Sequence, residues 1–186
     1  TVNGYFLTEV PVEGGRATVS ELLGADIRYR FAPATEIRAE FAGSNADNKS
    51  AGSTSGGATA WLVEAEHHDE KIDVLAYVRE QEAGFGVGQT NASETGARKF
   101  GVDGRYRFTD KLAFALLGYQ ENYFGTGARR RVIDGELEYI DGATSVRAGI
   151  IHANDRLPDG KVNQSTLARL AGSQKFFDGK LQLDAQ

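Results

Sequence analysis

The sequence has no cysteine, three prolines in 186 residues, and no long apolar run. Without cysteine it can hold neither a disulfide framework nor a thiolate metal site, a state compatible with cytosol and periplasm alike. A membrane-spanning helix needs about 18 or more consecutive apolar residues, and no window approaches that. An excess of positive charge is missing as well. With 21 Lys and Arg against 26 Asp and Glu, the formal net charge is −5 and the pI about 5.3. That argues against a nucleic-acid partner, because neutralising phosphates takes a basic face. Hydrophobic residues make up 40% of the chain, low for an ordinary core but fitting a sheet that is apolar on one side only. The chain opens at Thr1 without a leader-like segment, and residues 181–186 still alternate where it stops. Either a signal was removed or the chain is a piece of a longer protein, and the second is expected.

What is abundant is glycine and aromatic side chains: 23 Gly, 10 Phe, 7 Tyr and one Trp, set in long stretches of period-2 alternation. Successive strand side chains point to opposite faces, so this pattern predicts strands with one apolar side. Residues 1–21 form an irregular lead-in or preceding strand, in which Tyr5, Leu7 and Glu9 can alternate before Pro11. From 22 to 186 the pattern is steady. Ile27, Tyr29 and Phe31 alternate with Asp26, Arg28 and Arg30. Past Pro33, Ile37, Ala39 and Phe41 alternate with Glu36, Arg38 and Glu40. Trp61, Val63 and Ala65 oppose Glu64 and Glu66, while Ile72, Val74, Ala76 and Val78 oppose Asp73, Tyr77 and Arg79.

Turn signals predict registers. A two-residue turn at His68-Asp69 places Ala65 opposite Ile72 and Glu66 opposite Lys71. A loop over 109–111 places Phe108 opposite Leu112, Tyr106 opposite Phe114 and Gly104 opposite Leu116, with Asp103, Arg105 and Arg107 on the reverse face. Asp141-Gly142 reads as a type I′ turn. It pairs Tyr139 with Thr144 and Leu137 with Val146, leaving Asp134, Glu136 and Glu138 on the reverse face. Asp178-Gly179 is a second such signal and pairs Phe176 with Leu181.

The result is about ten strands of roughly 9–11 residues, the length that crosses a bilayer in a tilted strand. Short connections near 33, 68, 110, 141 and 178 alternate with longer loops near 50, 90, 127 and 159. A soluble sandwich also alternates apolar and polar residues, but its strands are usually about 5–6 residues long. Strand length, loop asymmetry and a reverse face charged with both signs all fit a membrane barrel, the one sheet form that satisfies its backbone in lipid. Tyr29, Phe31, Trp61, Phe108, Tyr119, Tyr123, Phe124, Tyr139 and Phe176 fall mostly near strand ends, where interface girdles would sit. The expected fold is all-β, an antiparallel up-and-down transmembrane β-barrel.

The stretch Tyr106-Arg107-Phe108-Thr109-Asp110-Lys111-Leu112, with the Asp-Gly turns before Ala143 and after Phe177, resembles the periplasmic hairpins of Gram-negative outer-membrane β-barrel proteins. The resemblance spans residues 22–186. The charge density is similar to that of larger barrels, TonB-dependent-receptor-like or porin-type. Those proteins usually end on an aromatic residue, whereas this chain ends Asp184-Ala185-Gln186, which suits a fragment of a larger barrel. The resemblance implies a non-enzymatic wall in the bacterial outer membrane, acting as pore, receptor or transport barrel, or surface anchor, without a cofactor. Its partners would be outer-membrane lipid and lipopolysaccharide, together with the remainder of a larger barrel chain or partner proteins.

In that setting the lumen-lining residues are Arg28, Arg30, Arg38, Glu40, Glu64, Glu66, Asp73, Arg79, Asp103, Arg105, Arg107, Asp134, Glu136, Glu138 and Arg147. They could line an aqueous pathway or form a cross-strand ion-pair lattice that holds register and an internal plug. The lipid-facing residues are Trp61, Val74, Tyr106, Phe108, Leu112, Phe114, Leu137 and Tyr139. Arg129, Arg130 and Arg131 begin a strand on the long-loop side and would meet lipopolysaccharide phosphates through charge-assisted hydrogen bonds. The competing reading is a soluble or extracellular, adhesin-like all-β module that binds through its loops.

Other chemistry is weakly signalled. His67-His68-Asp69 invites a metal reading, but adjacent strand residues face opposite ways and His152 is three loops distant. A polar turn is expected there, and no zinc spacing of Cys and His exists. Gly84-Phe85-Gly86-Val87-Gly88 lacks the Gly-Lys-Ser/Thr of a phosphate loop and opens no helix. Nothing resembles a nucleophile elbow. No catalytic, cofactor-binding or metal-ligating residue is expected.

Overall fold

The computed structural model describes residues 2–9, 18–47, 56–86, 96–177 and 181–185. They form one antiparallel sheet of eleven strands, ordered as in the chain. The strands are β1 (Val2–Glu9), β2 (Thr18–Ala32), β3 (Thr35–Asp47), β4 (Gly56–His68), β5 (Ile72–Gln81) and β6 (Ala97–Arg107). They continue as β7 (Leu112–Tyr123), β8 (Arg129–Asp141), β9 (Thr144–Arg156), β10 (Val162–Phe176) and β11 (Leu181–Ala185). The fold is all-β and up-and-down, without a helix among the described residues. β1 and β11 pair only with β2 and β10, so the described sheet is open.

The strands run further than the alternation alone suggests. β2 and β10 are 15 residues long, and β3, β4, β8 and β9 are 13. As a result the expected long loops near 127 and 159 shrink to the connections 124–128 and 157–161. Their polar flanks, Arg129, Arg131, Asn154, Arg156 and Gln164, belong to strands. The strict alternation of short and long connections therefore fails over the second half of the sheet. The loops expected near 50 and 90, and the Asp178-Gly179 turn, lie wholly or largely outside the described residues.

Two predicted registers are corrected. Ala65 pairs with Ala76, not Ile72, and Glu66 with Leu75, not Lys71. The turn is wider because the Asp69 carboxylate accepts the backbone N–H groups of Lys71 at 2.7 Å and Ile72 at 2.6 Å. This is the side-chain mimicry of a backbone turn that favours Asp in such positions. At the next hairpin Tyr139 pairs with Val146 and Leu137 with Ala148, while Asp141 closes against Thr144. The turn residues are Gly142 and Ala143, with positive φ (55°) at Gly142 alone. That is the pattern of a type II′ turn, which wants glycine first. Both slips are by an even number of residues, so every side chain keeps its face. The pairs Tyr106–Phe114, Gly104–Leu116 and Phe176–Leu181 occur as expected.

The two faces differ in curvature as well as chemistry. The buried strand residues among those described are Ser44, Ala58, Ala97, Ala113, Val132 and Glu138. All lie on the charged face. A sheet that buries one face without a covering layer is curled around that face, so the charged face is concave. Large apolar residues spread over the convex face, with Leu170 at 69%, Ile27 at 67% and Ile133 at 59% exposure. No large described side chain is fully buried, and the chain exposes 12845 Å². A compact soluble protein of its 20.1 kDa would expose about 8,700 Å².

Candidate functional site: a charged concave face and an apolar convex face

Paired residues share a face, so the register assigns each side chain. On β2 to β4 the chain Arg28–Arg38–Glu64 crosses one face while Ile27–Ala39–Val63 crosses the other. By the same rule Arg28, Arg30, Arg38, Glu40, Glu64, Glu66, Asp73, Arg79, Asp103, Arg105, Arg107, Asp134, Glu136, Glu138 and Arg147 all stand on the concave face. Trp61, Val74, Tyr106, Leu112, Phe114, Leu137 and Tyr139 stand on the convex face. Phe108 sits in the turn, its ring edge-on to Tyr106 with centroids 4.9 Å apart.

The concave charges gather into paired groups. Glu36 takes Arg28 at 2.9 Å and Arg30 at 3.2 Å. Arg38 bridges Glu40 and Glu64, the latter at 3.5 Å. Glu138, only 6% exposed, lies between Arg105 and Arg147, with Arg147 at 2.8 Å. Arg169, which the sequence reading missed, reaches Asp134 at 2.5 Å and Glu136 at 3.6 Å.

Two of these groups span a whole strand, and small residues make that possible. Arg105 on β6 crosses the Ala113 and Ala115 positions of β7 to reach β8. Arg169 on β10 crosses Gly149 of β9, where an added Cβ would come within 3.3 Å of the guanidinium. The signal for Arg169 was legible: it alternates opposite Ala168 and Leu170, as Arg147 does beside Ala148.

Aromatic groups divide between the faces. Tyr29 and Phe31 stack at 6.4 Å near the short-turn end, where Tyr106, Phe108 and Tyr139 also lie. Tyr119 and Tyr123, expected with the girdle, stand instead on the concave face. Lys99 lies 4.5 Å from the Tyr119 ring centroid, and Tyr77 and Tyr119 flank Gly101. A cavity of about 460 Å³ opens on this face, lined by Glu40, Leu62, Tyr77, Phe85 and Lys99 among others.

The remaining candidates separate. His67 and His68 face opposite ways, His67 to Thr35 at 2.8 Å and Asp69 at 3.0 Å, His68 to Asp73 at 3.3 Å. His152 contacts Thr166 at 2.8 Å on a distant strand. No three metal-ligating side chains gather among the described residues. The glycine-rich stretch forms a turn at Gly84 (φ 86°), and Gly86 donates its N–H to Ser44 Oγ at 2.9 Å. Residues Val87 and Gly88 lie outside the described set. Arg129, Arg130 and Arg131 do not act as one group, since Arg130 turns to the concave face towards Asp155 at 3.8 Å. No protein-family model and no curated protein matches the sequence.

Proposed function

We propose that this sheet is part of the wall of a transmembrane β-barrel in the bacterial outer membrane, a non-enzymatic element of a pore, a receptor or transport barrel, or a surface anchor. The observation that carries the reading is the inversion of the sheet: buried residues lie on the charged side and large apolar residues on the outward one. A water-soluble sheet hides its apolar face under a second layer. Here no described element covers it, and lipid is a cover that needs no further chain. The charged concave face then lines a lumen, where its arginine–carboxylate groups hold neighbouring strands in register. Strands beyond β1 and β11, from a longer chain or a partner, complete the wall.

The reading is tested by extraction and electrophoresis of the full chain. It predicts retention in membranes through high salt, release by detergent, and slower or faster migration depending on whether the sample is boiled. Monodisperse protein in detergent-free buffer would sink it and favour the adhesin-like module.

A further inference from the structure

We infer that the convex face carries a binding site for the phosphate headgroup of an anionic lipid, formed by Arg129, Arg131 and Arg156. The inference rests on the barrel reading and names a partner for that wall. Its starting point is a pairing left unneutralised: Arg129 and Arg156 are direct cross-strand partners, as Arg28 and Arg38 are, but without the Glu36 and Glu40 that flank those two. Like charges set opposite each other are destabilising unless something neutralises them. Neither has a carboxylate partner among the described residues, and the Nε of Arg129 is buried without a hydrogen-bond acceptor. Arg131 lies two residues along β8 on the same face and donates to Gln120.

Other arginines at this end are already matched. Arg98 pairs with Glu80, and Arg130 with Asp155 on the opposite face. On β7 to β10 the convex face has a single carboxylate, Asp141, at the far end beside the short turn. The acids of those strands, Glu121, Asp134, Glu136, Glu138 and Asp155, all lie on the concave side. The uncompensated positive charge is therefore local and outward-facing.

Two features select a lipid over a free anion. A hollow of about 320 Å³ opens beside Asn122, Arg129 and Arg156 under the 124–128 turn, open enough to admit a phosphate. Next to Arg131 runs an apolar groove of about 570 Å³ on the same face, floored by Ala76, Val102, Gly118 and Ile133. Small residues there leave room for an acyl chain whose headgroup would reach the arginines. Bidentate guanidinium contacts to phosphate are among the stronger charge-assisted hydrogen bonds.

The test folds the full chain into phosphatidylcholine bilayers with and without a minor fraction of diphosphorylated lipid A. Retained lipid is then counted by native mass spectrometry after detergent exchange. Wild type should retain lipid A. The double substitution Arg129→Gln with Arg156→Gln should lower apparent affinity about tenfold or more while leaving stability in pure phosphatidylcholine unchanged or raised. Arg130→Gln should leave retention as in wild type. Equal retention by the double variant, or an equal loss in Arg130→Gln, overturns the site. Displacement of lipid A by inorganic phosphate at concentrations that saturate the protein alone overturns the lipid as occupant. Insertion without retention refutes only this site, whereas failure to insert refutes the barrel reading beneath it.

Discussion

Gly101 illustrates how tightly the concave face is drawn at single residues. A Cβ there would lie 2.6 Å from the Gly118 carbonyl oxygen, 2.8 Å from Tyr119 Cβ and 2.9 Å from the Tyr77 hydroxyl. Gly101→Ala should therefore cost about 1–3 kcal/mol through overpacking, read as a lower urea midpoint for unfolding from lipid vesicles. Gly43→Ala has nothing within 4 Å of the new methyl and should leave the midpoint unchanged or slightly higher. Glu138 makes the matching electrostatic case. Its side chain is 8% exposed, but Arg105 and Arg147 are 38% and 53% exposed, so solvent screens much of the interaction. Glu138→Gln should cost about 1–2 kcal/mol, the roughly 1.5–3 kcal/mol of hydrogen bonds to charged groups discounted for that screening. High salt should shrink the difference between variant and wild type.

At the scale of the element, turn chemistry sets register and alternation sets faces. Asp69 holds the β4–β5 turn, and the Ile72 amide, the His67 ring and the Lys71 amide together bring its carboxyl from an ordinary 3.8 to about 2. A folded-state value below the unfolded one gives stability that is complete above the ordinary value and lost as the pH falls through about 2. Asp69→Asn should thus be less stable than wild type near neutrality, and their urea midpoints should converge in strong acid. Neighbouring residues on β7 give a sharper contrast. Leu116 is convex, between Gly104 and Gly135, whereas Leu117 is concave, between Asp103 and Asp134. Leu116→Arg should impair folding into vesicles by about 2–4 kcal/mol, the cost of a cation on a lipid face near the bilayer centre. Leu117→Arg gains two carboxylate neighbours and should fold with little loss.

The same distinction explains what could be read from the residues alone. Face assignments were legible because both register errors were even, which leaves parity intact. Ala65–Ala76 and Tyr139–Val146 were not legible, because they depend on the Asp69 carboxylate and on which glycine-adjacent residues bend. Strand ends were underestimated where Asn154, Arg156 and Gln164 replace apolar residues on the convex face. Such residues read as loop in one dimension, yet they form the polar rim of a strand. For Arg169 the face was legible from its alternation with Ala168 and Leu170, but its partners were not, because they lie two strands away across Gly149.

At the scale of the whole molecule, an open eleven-stranded sheet with an outward apolar face leaves both its edges and that face unsatisfied in water. In the proposed wall, membrane insertion would cover the face and neighbouring strands the edges. Whether the convex face meets lipid can be read from the single tryptophan, a native reporter. Trp61 lies on that face between Phe41 and Glu80. In vesicles with brominated acyl chains its emission should be strongly quenched, while aqueous iodide should have little effect. Moving the probe one residue, Trp61→Phe with Leu62→Trp, should reverse both responses. Quenching of Trp61 by iodide, with none by brominated lipid, would contradict a lipid-facing convex face.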